Sequence, residues 1–218
     1  MTLKLYFAPG ACSFVPHALL ETAGADYEPV MVKLHKGENY GPDYKAINPR
    51  AQVPVLVEDG QVITQILAII TRLDQLFPDA NFLPRESLPR VRVLETLAWM
   101  NNTVHPTFTH VFMPHKFASS PQAQADLKAF NAALYRDMLD ELEAMAAQAA
   151  SQGRVYLGGA FGPLDAYALT LLRWGGFAGH DPQGFPALWS LVQRVAALPA
   201  VTRVIERERL QLNVYKAA

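Results

Sequence analysis

The stretch Asn48-Pro-Arg-Ala-Gln-Val-Pro-Val-Leu-Val-Glu-Asp-Gly-Gln-Val-Ile-Thr-Gln-Ile-Leu-Ala-Ile69 decides how this chain is read. Gln52-Val53-Pro54 opens a short apolar strand from Val55 to Val57. Asp59-Gly60 is the pair that a tight hairpin turn requires, and Val62-Ile63 is the return strand. A proline at the start of a strand has no N–H to give, so the backbone of the residue before it is free to pair elsewhere. With a cis Val53–Pro54 bond, the N–H and C=O of Val53 would point into a cleft. Thr64-Gln65 leads into an apolar helical run from Leu67 to Leu76, so the hairpin ends at a helix N-terminus, where unpaired N–H groups favour an anion. The stretch is an extended-peptide clamp beside a carboxylate site.

Towards the N-terminus, His35 to Lys45 is polar and glycine-containing, a loop with room for a turn of helix. Leu3 to Phe7 reads as a first strand and Tyr27 to Lys33 as a second, alternating at Val30 and Val32. Between them, Ala8 to Ser13 is a turn leading into a helix from Phe14 to about Ala23. Ser13 is its N-cap, Pro16 sits in the first turn and Gly24 stops it. Strands separated by a helix pair in parallel. The order βαβ, loop, ββα is that of a thioredoxin-like α/β domain. Cys12 lies at the helix start, where unpaired N–H groups stabilise a thiolate, which predicts an accessible thiol of lowered pKa. The other reading is a buried small hydrophobe.

Towards the C-terminus, Phe77 to Pro89 carries three prolines and no regular period. It reads as a linker over 79–89, after a first domain of 1–78. Val91, Leu94, Leu97 and Ala98 recur at helix spacing, Ala123 to Ala149 is a long Ala/Leu/Met run, and Pro163 to Trp174 and Pro186 to Leu198 are capped apolar segments. Residues 90–218 are therefore expected to form an all-α domain. His105, His110 and His115 follow in steps of five, about 140° of helix rotation each, so they share no face and no metal site is expected. Pro106 should kink the helix that carries His105. Phe108, Phe112, Met113 and Phe117 either wall an apolar pocket or pack in the core.

Composition excludes several classes. The chain has 218 residues, of which 50% are hydrophobic, enough to fill a core. A net charge of −1 without a Lys/Arg block lacks the electrostatic footprint for nucleic acid or anionic lipid. Pro9-Gly10 interrupts the N-terminal stretch before a signal-peptide core forms, and no apolar run approaches a membrane span. A cytoplasmic protein without membrane or nucleic-acid partners is expected. One cysteine forms neither an internal disulfide nor a Cys-based zinc site.

Three motifs carry a family resemblance. Gln52-Val53-Pro54 before the hairpin and Ala68-Ile69 after it resemble the glutathione transferases. The run Tyr6-Phe7-Ala8-Pro9-Gly10-Ala11-Cys12-Ser13, with Pro16-His17, resembles the first-helix motif of their bacterial beta type. Tyr156-Leu157-Gly158-Gly159 and Phe161-Gly162-Pro163-Leu164-Asp165 resemble the family's capping box, with Asp165 retained and Gly162 in place of Ser or Thr. The resemblance implies a homodimer whose substrates are glutathione and a small hydrophobic electrophile, and whose reaction is conjugation or reduction of glutathione mixed disulfides. It implies that Cys12 can form a mixed disulfide with glutathione, with Ser13 and Tyr6 as alternative hydroxyls for the sulfur. Purely structural roles stand beside these two, a helix cap for Ser13 and a packed strand residue for Tyr6. The resemblance further implies that His105 faces the cysteine, with a structural histidine as the other reading. On the same basis Gln52, Val53 and Pro54 bind glutathione, with Gln52 and Val53 holding the cysteinyl-glycine end, and Lys36 reaches the glycine carboxylate. Gln65 and Ile66 stand where the family has an acidic residue and Ser, so only their backbone N–H groups persist at the γ-glutamyl site. A missing hydroxyl donor predicts glutathione binding weaker by roughly 10- to 100-fold, unless Ile66 is a packing residue and Thr64 supplies the hydroxyl. A non-catalytic binding or regulatory protein of this fold, and a monothiol reductase, are the rival readings.

Overall fold

The hairpin is present as β3 (Val55–Glu58) and β4 (Gln61–Thr64), paired antiparallel with Val55 opposite Thr64 and Glu58 opposite Gln61. Asp59 and Gly60 both take positive φ, the geometry of a two-residue hairpin turn, and Asp59 Oδ1 accepts a hydrogen bond from the Thr2 N–H at 2.8 Å. The computed structural model describes residues 1–217, and the chain divides into two units. The first comprises residues 1–90 and 196–210, the second residues 91–195 with the chain from 211 onward.

In the first unit β1 (Leu3–Phe7) lies between β2 (Glu28–Met31) and β3, giving the order β2-β1-β3-β4. β1 runs parallel to β2 and antiparallel to β3, as the intervening helix α1 (Phe14–Thr22) requires. Leu3, Leu5 and Phe7 are buried while Lys4 and Tyr6 are half-buried, the period-two signature of a strand. α3 (Ile66–Leu76) buries Ile66, Ile69, Ile70 and Leu73, one helical face. The other side of the sheet is covered by α2 (Pro42–Ile47), where Val32, Tyr44 and Val55 form a cluster against Tyr6, Ile47, Val53 and Val57. This is a thioredoxin-like arrangement. The second strand is shorter than the expected Tyr27 to Lys33.

The C-terminal end of the chain contributes α9 (Pro199–Glu208), which packs on α1 through Val201 and Val204. The proline-rich segment after α3 is docked, not loose: Phe82 and Leu83 are buried. Asp74 of α3 accepts hydrogen bonds from the Leu83 N–H at 3.1 Å, Arg85 Nη1 at 3.2 Å and Arg90 Nη1 at 2.9 Å.

The second unit is helical. α4 (Ser87–Trp99) starts in the first unit and runs into it, followed by a π-helical turn (Met100–Val104), α5 (His105–Phe112), α6 (Pro121–Ser151), α7 (Pro163–Phe177) and α8 (Pro186–Ala196). The irregularity expected at Pro106 takes the form of that π turn, in which the His105 N–H bonds to the Met100 carbonyl. α7 is the buried axis. Asp165 fixes its start by accepting from the Gly162 N–H at 3.0 Å and the Leu157 N–H at 2.8 Å, so the carboxylate does the capping that Gly162 cannot. Gly176 lets the C-terminal strand of chain cross α7, since a Cβ there would lie 2.7 Å from Tyr215 N. Among the described residues no single helix is long and apolar enough to cross a membrane.

The Asp74 cluster yields a stability test. Asp74→Ala strands the buried Leu83 N–H and releases two arginines, and is expected to cost about 3 kcal/mol. Urea denaturation should show a lower midpoint at unchanged slope. A loss below about 1 kcal/mol would show that the segment docks by apolar contacts alone.

Candidate active site

Three consecutive carbonyls of the hairpin approach are each held by a side chain from elsewhere in the first unit. Asn39 Nδ2 donates to Ala51 O at 2.9 Å; Tyr44 Oη and Asn48 Nδ2 donate to Gln52 O at 2.8 and 2.7 Å; Cys12 Sγ donates to Val53 O at 3.5 Å. Ala51 takes φ +55°, an uncommon conformation for a residue with a Cβ, and its N–H is bonded back to Asn48 O at 2.9 Å. The Val53–Pro54 bond is cis. Gln52 is exposed, Val53 half-buried and Pro54 buried. Asn39 and Tyr44 belong to no motif legible in the sequence, and Asn48 stands out there only as the start of the Asn-Pro turn.

Cys12 is half-buried in the turn before α1. Burial pushes its thiol up to about 12, although the backbone N–H groups of Cys12 and Ser13 pull the other way. The expected lowering is therefore overturned: the helix-start effect is present and desolvation exceeds it. Ser13 is fully buried and makes no cap to the helix. Its hydroxyl instead accepts from Ala8 N–H at 3.0 Å and donates to Ala8 O at 3.2 Å, pinning the two ends of the turn. Between them, the Gly10 N–H donates to Glu208 Oε2 of α9 at 2.8 Å. Glu208 Oε1 takes His17 Nδ1–H at 2.7 Å, and His17 Nε2 accepts from Arg207 at 3.0 Å. A guanidinium can only donate, so this network fixes the hydrogen of His17 on Nδ1. A carboxylate so buried is tolerable because these donors satisfy it. Tyr6 packs its ring edge-on against Tyr44, centroids 5.9 Å apart.

At the start of α3, Gln65 takes φ +71° and ψ +123° with its side chain exposed. Such backbone strain in a residue with a Cβ gathers at functional sites. Ile66 is a core residue at 3% exposure, so its side chain does not stand in for a hydroxyl at this site. The helix N-terminus, whose first N–H groups have no intrahelical partner, remains. Lys36 is exposed in a short 3₁₀ turn, Leu34–Lys36.

In the second unit, His105 Nδ1 lies 2.9 Å from Tyr167 Oη, and its ring meets Trp174 at 4.7 Å between centroids. Burial draws its pKa down to about 4. Phe108 stacks between Trp174 at 4.7 Å and Phe112 at 5.4 Å. Phe108 is buried, whereas Phe112 is 54% exposed and reaches the half-exposed Phe177 at 5.6 Å. The aromatic run is core at one end and accessible surface at the other. His110 packs on Phe117 at 4.2 Å, apart from the His105 cluster.

The thiol environment is directly measurable. Iodoacetamide labelling of Cys12 against pH is expected to show a midpoint well above the free-thiol value of about 8.5. A midpoint below that value would mean that the amides of the turn dominate over burial.

The glutathione S-transferase N-terminal domain family matches residues 1–75. The chain is 33% identical to glutathione S-transferase GstA of Escherichia coli O157:H7, over 96% of this chain and all of that one. A glutathione transferase homologue from Sulfitobacter, solved with bound glutathione, superposes with a TM-score of 0.88 at 26% identity, covering 96% of this chain and 99% of the other. The beta-class glutathione S-transferase of Sphingomonas chungbukensis superposes at 0.82 with 30% identity, covering 95% and 100%. Similarity of this extent along both chains, with the sheet and hairpin described above, makes this chain a member of the glutathione S-transferase family.

Proposed function

We propose that the protein is a glutathione transferase that joins glutathione to small hydrophobic electrophiles, with Cys12 acting as a thiol donor. The observation that carries this reading is the Cys12 S–H directed at the Val53 carbonyl, in a setting that keeps the thiol protonated at neutral pH. When glutathione binds, the Cys12 S–H leaves its long 3.5 Å contact with the Val53 carbonyl and donates instead to the glutathione thiolate, and that thiolate then attacks the electrophilic carbon, forming a C–S bond as the leaving group departs. Ser13 is fully buried and held to Ala8 by two hydrogen bonds, whereas Cys12 is half-buried with one long contact to give up, which favours Cys12 over Ser13 for this task. The same chemistry disfavours the monothiol reductase, which needs Cys12 as a thiolate nucleophile.

In this reading residues 1–78 bind glutathione. The backbone of Val53 and the exposed Gln52 take the cysteinyl-glycine part, Pro54 holds the turn, Tyr6 supports Tyr44, and Lys36 meets the glycine carboxylate. The N–H groups at Gln65 and Ile66 receive the γ-glutamyl carboxylate at the α3 N-terminus. Because Ile66 is a core residue, the affinity deficit assigned to a missing Ser hydroxyl is not part of this proposal. Residues 79–89 link to the helical part, 90–218, whose Phe108 and Phe112 offer an apolar face to the electrophile, with His105 beside them. We extend the reading to a cytoplasmic homodimer serving detoxification, on the strength of family membership. The non-catalytic alternative is disfavoured by the fixed carbonyl run and the strained Gln65, features that a scaffold has no need to keep.

Steady-state assay with glutathione and a halogenated nitroarene tests this. Conjugate formation is expected, and Cys12→Ala should lower kcat by roughly 10- to 100-fold, the worth of a hydrogen bond to a charged group. Absence of conjugate, with Cys12-dependent reduction of a glutathione mixed disulfide, would transfer the protein to the reductase class.

A further inference from the structure

Asn39 carries a buried oxygen that accepts no hydrogen bond from the described residues, while the nitrogen of the same amide holds the backbone at Ala51. It lies in the 3₁₀ turn Glu38–Tyr40 and is 5% exposed. Its Nδ2 donates to Ala51 O at 2.9 Å, and Oδ1 is the atom left over. Exchanging the two amide atoms would set an oxygen against the Ala51 carbonyl, so the amide faces Ala51 with its nitrogen. A buried acceptor left unmade costs stability, and an apolar side chain of similar size would avoid that cost. What the amide supplies and an apolar side chain cannot is the donor to Ala51 O.

That carbonyl reports the conformation of Ala51. Up to the Ala51 N–H the turn is closed by its own residues: Asn48 O accepts from the Ala51 N–H at 2.9 Å and Asn48 Oδ1 from the Arg50 N–H at 3.1 Å. Neither bond reaches past the Ala51 nitrogen, so neither sets the rotation about the N–Cα bond. Ala51 nevertheless takes φ +55°, a region that a Cβ disfavours. Tyr44 and Asn48 hold the next carbonyl, Gln52 O, whereas among the described residues Asn39 alone holds that of Ala51. Returning φ to negative values would swing the Ala51 carbonyl off Asn39 and turn the backbone that follows.

We propose that Asn39 is a positioning residue that holds Ala51 in the left-handed conformation and thereby sets the Gln52-Val53 backbone in the orientation that receives the cysteinyl-glycine part of glutathione. The glutathione half rests on the reading above; the conformational half does not.

The substitution Ala51→Gly separates this role from a merely structural one, because glycine populates positive φ about as readily as negative and needs no side chain to hold it there. In calorimetric titration with glutathione, Asn39→Leu is expected to bind about tenfold more weakly, the population lost when a residue with a Cβ is free to leave the left-handed region. Combining Asn39→Leu with Ala51→Gly should recover affinity to within about two- to threefold of wild type, since about half of the chains then keep the binding conformation. Ala51→Gly alone should bind as wild type does. In the conjugation assay Asn39→Leu should raise KM for glutathione in the same ratio at unchanged kcat. A crystal structure of Asn39→Leu should show residue 51 at negative φ, and Asn39→Ala takes its place in each measurement should Asn39→Leu not fold. A folded variant with wild-type affinity, an affinity loss that Ala51→Gly does not recover, or a left-handed Ala51 in the variant structure overturns the proposal. Absence of glutathione binding by the wild type would instead remove the glutathione reading, and the φ of residue 51 in the variant would still decide the conformational half.

Discussion

The peptide between Gln52 and Val53 is the fixed point of the first unit. Its carbonyl receives Tyr44 and Asn48, while the carbonyls on either side receive Asn39 and Cys12. A loop that meets a ligand with its backbone must be held from behind, since loop backbone is otherwise the most mobile part of a fold. Here the donors come from the segment covering one side of the sheet and from the turn before α1. The left-handed Ala51 persists for the same reason: the surrounding bonds over-determine it.

The turn bearing Cys12 is held by a different device. Glu208, at the end of α9, closes on Gly10 and His17, and Ser13 ties off Ala8. The outcome is a half-buried thiol at a helix start, with two opposing influences on its ionisation. Burial is the larger of the two, and it keeps the Cys12 thiol protonated at neutral pH. Each group is thus set by its environment more than by its identity, and the same is true of His105, whose burial draws its pKa down to about 4.

Local patterns made much of this legible. Asp59-Gly60 marked the hairpin and the Ala/Leu/Met run marked α6, whereas the alternation at Val30 and Val32 drew the second strand too long. The Ile66, Ile69, Ile70, Leu73 spacing is itself an apolar helix face, and taken at its word it places Ile66 in the core, against the reading of that position as a degraded hydroxyl site. What was not legible lies in long-range partners. Glu208 and Gly10 are 198 positions apart, and although Val201, Val204 and Ile205 give α9 an apolar face, nothing local says that this face belongs to the first unit. Desolvation of Cys12 is likewise a property of the assembled turn, whereas its place at a helix start is a property of the sequence.

The central claim is that a backbone site, braced by buried side chains, receives glutathione. Calorimetric titration of glutathione into wild type and Asn48→Ala tests it most directly, because Asn48 braces Gln52 O and contributes its own side chain from a buried position. The expected result is saturable binding of one glutathione per chain by wild type, and affinity at least about tenfold lower in the folded variant, which loses one brace of about 1.4 kcal/mol. No binding to wild type, or equal affinity in a folded Asn48→Ala, would contradict it.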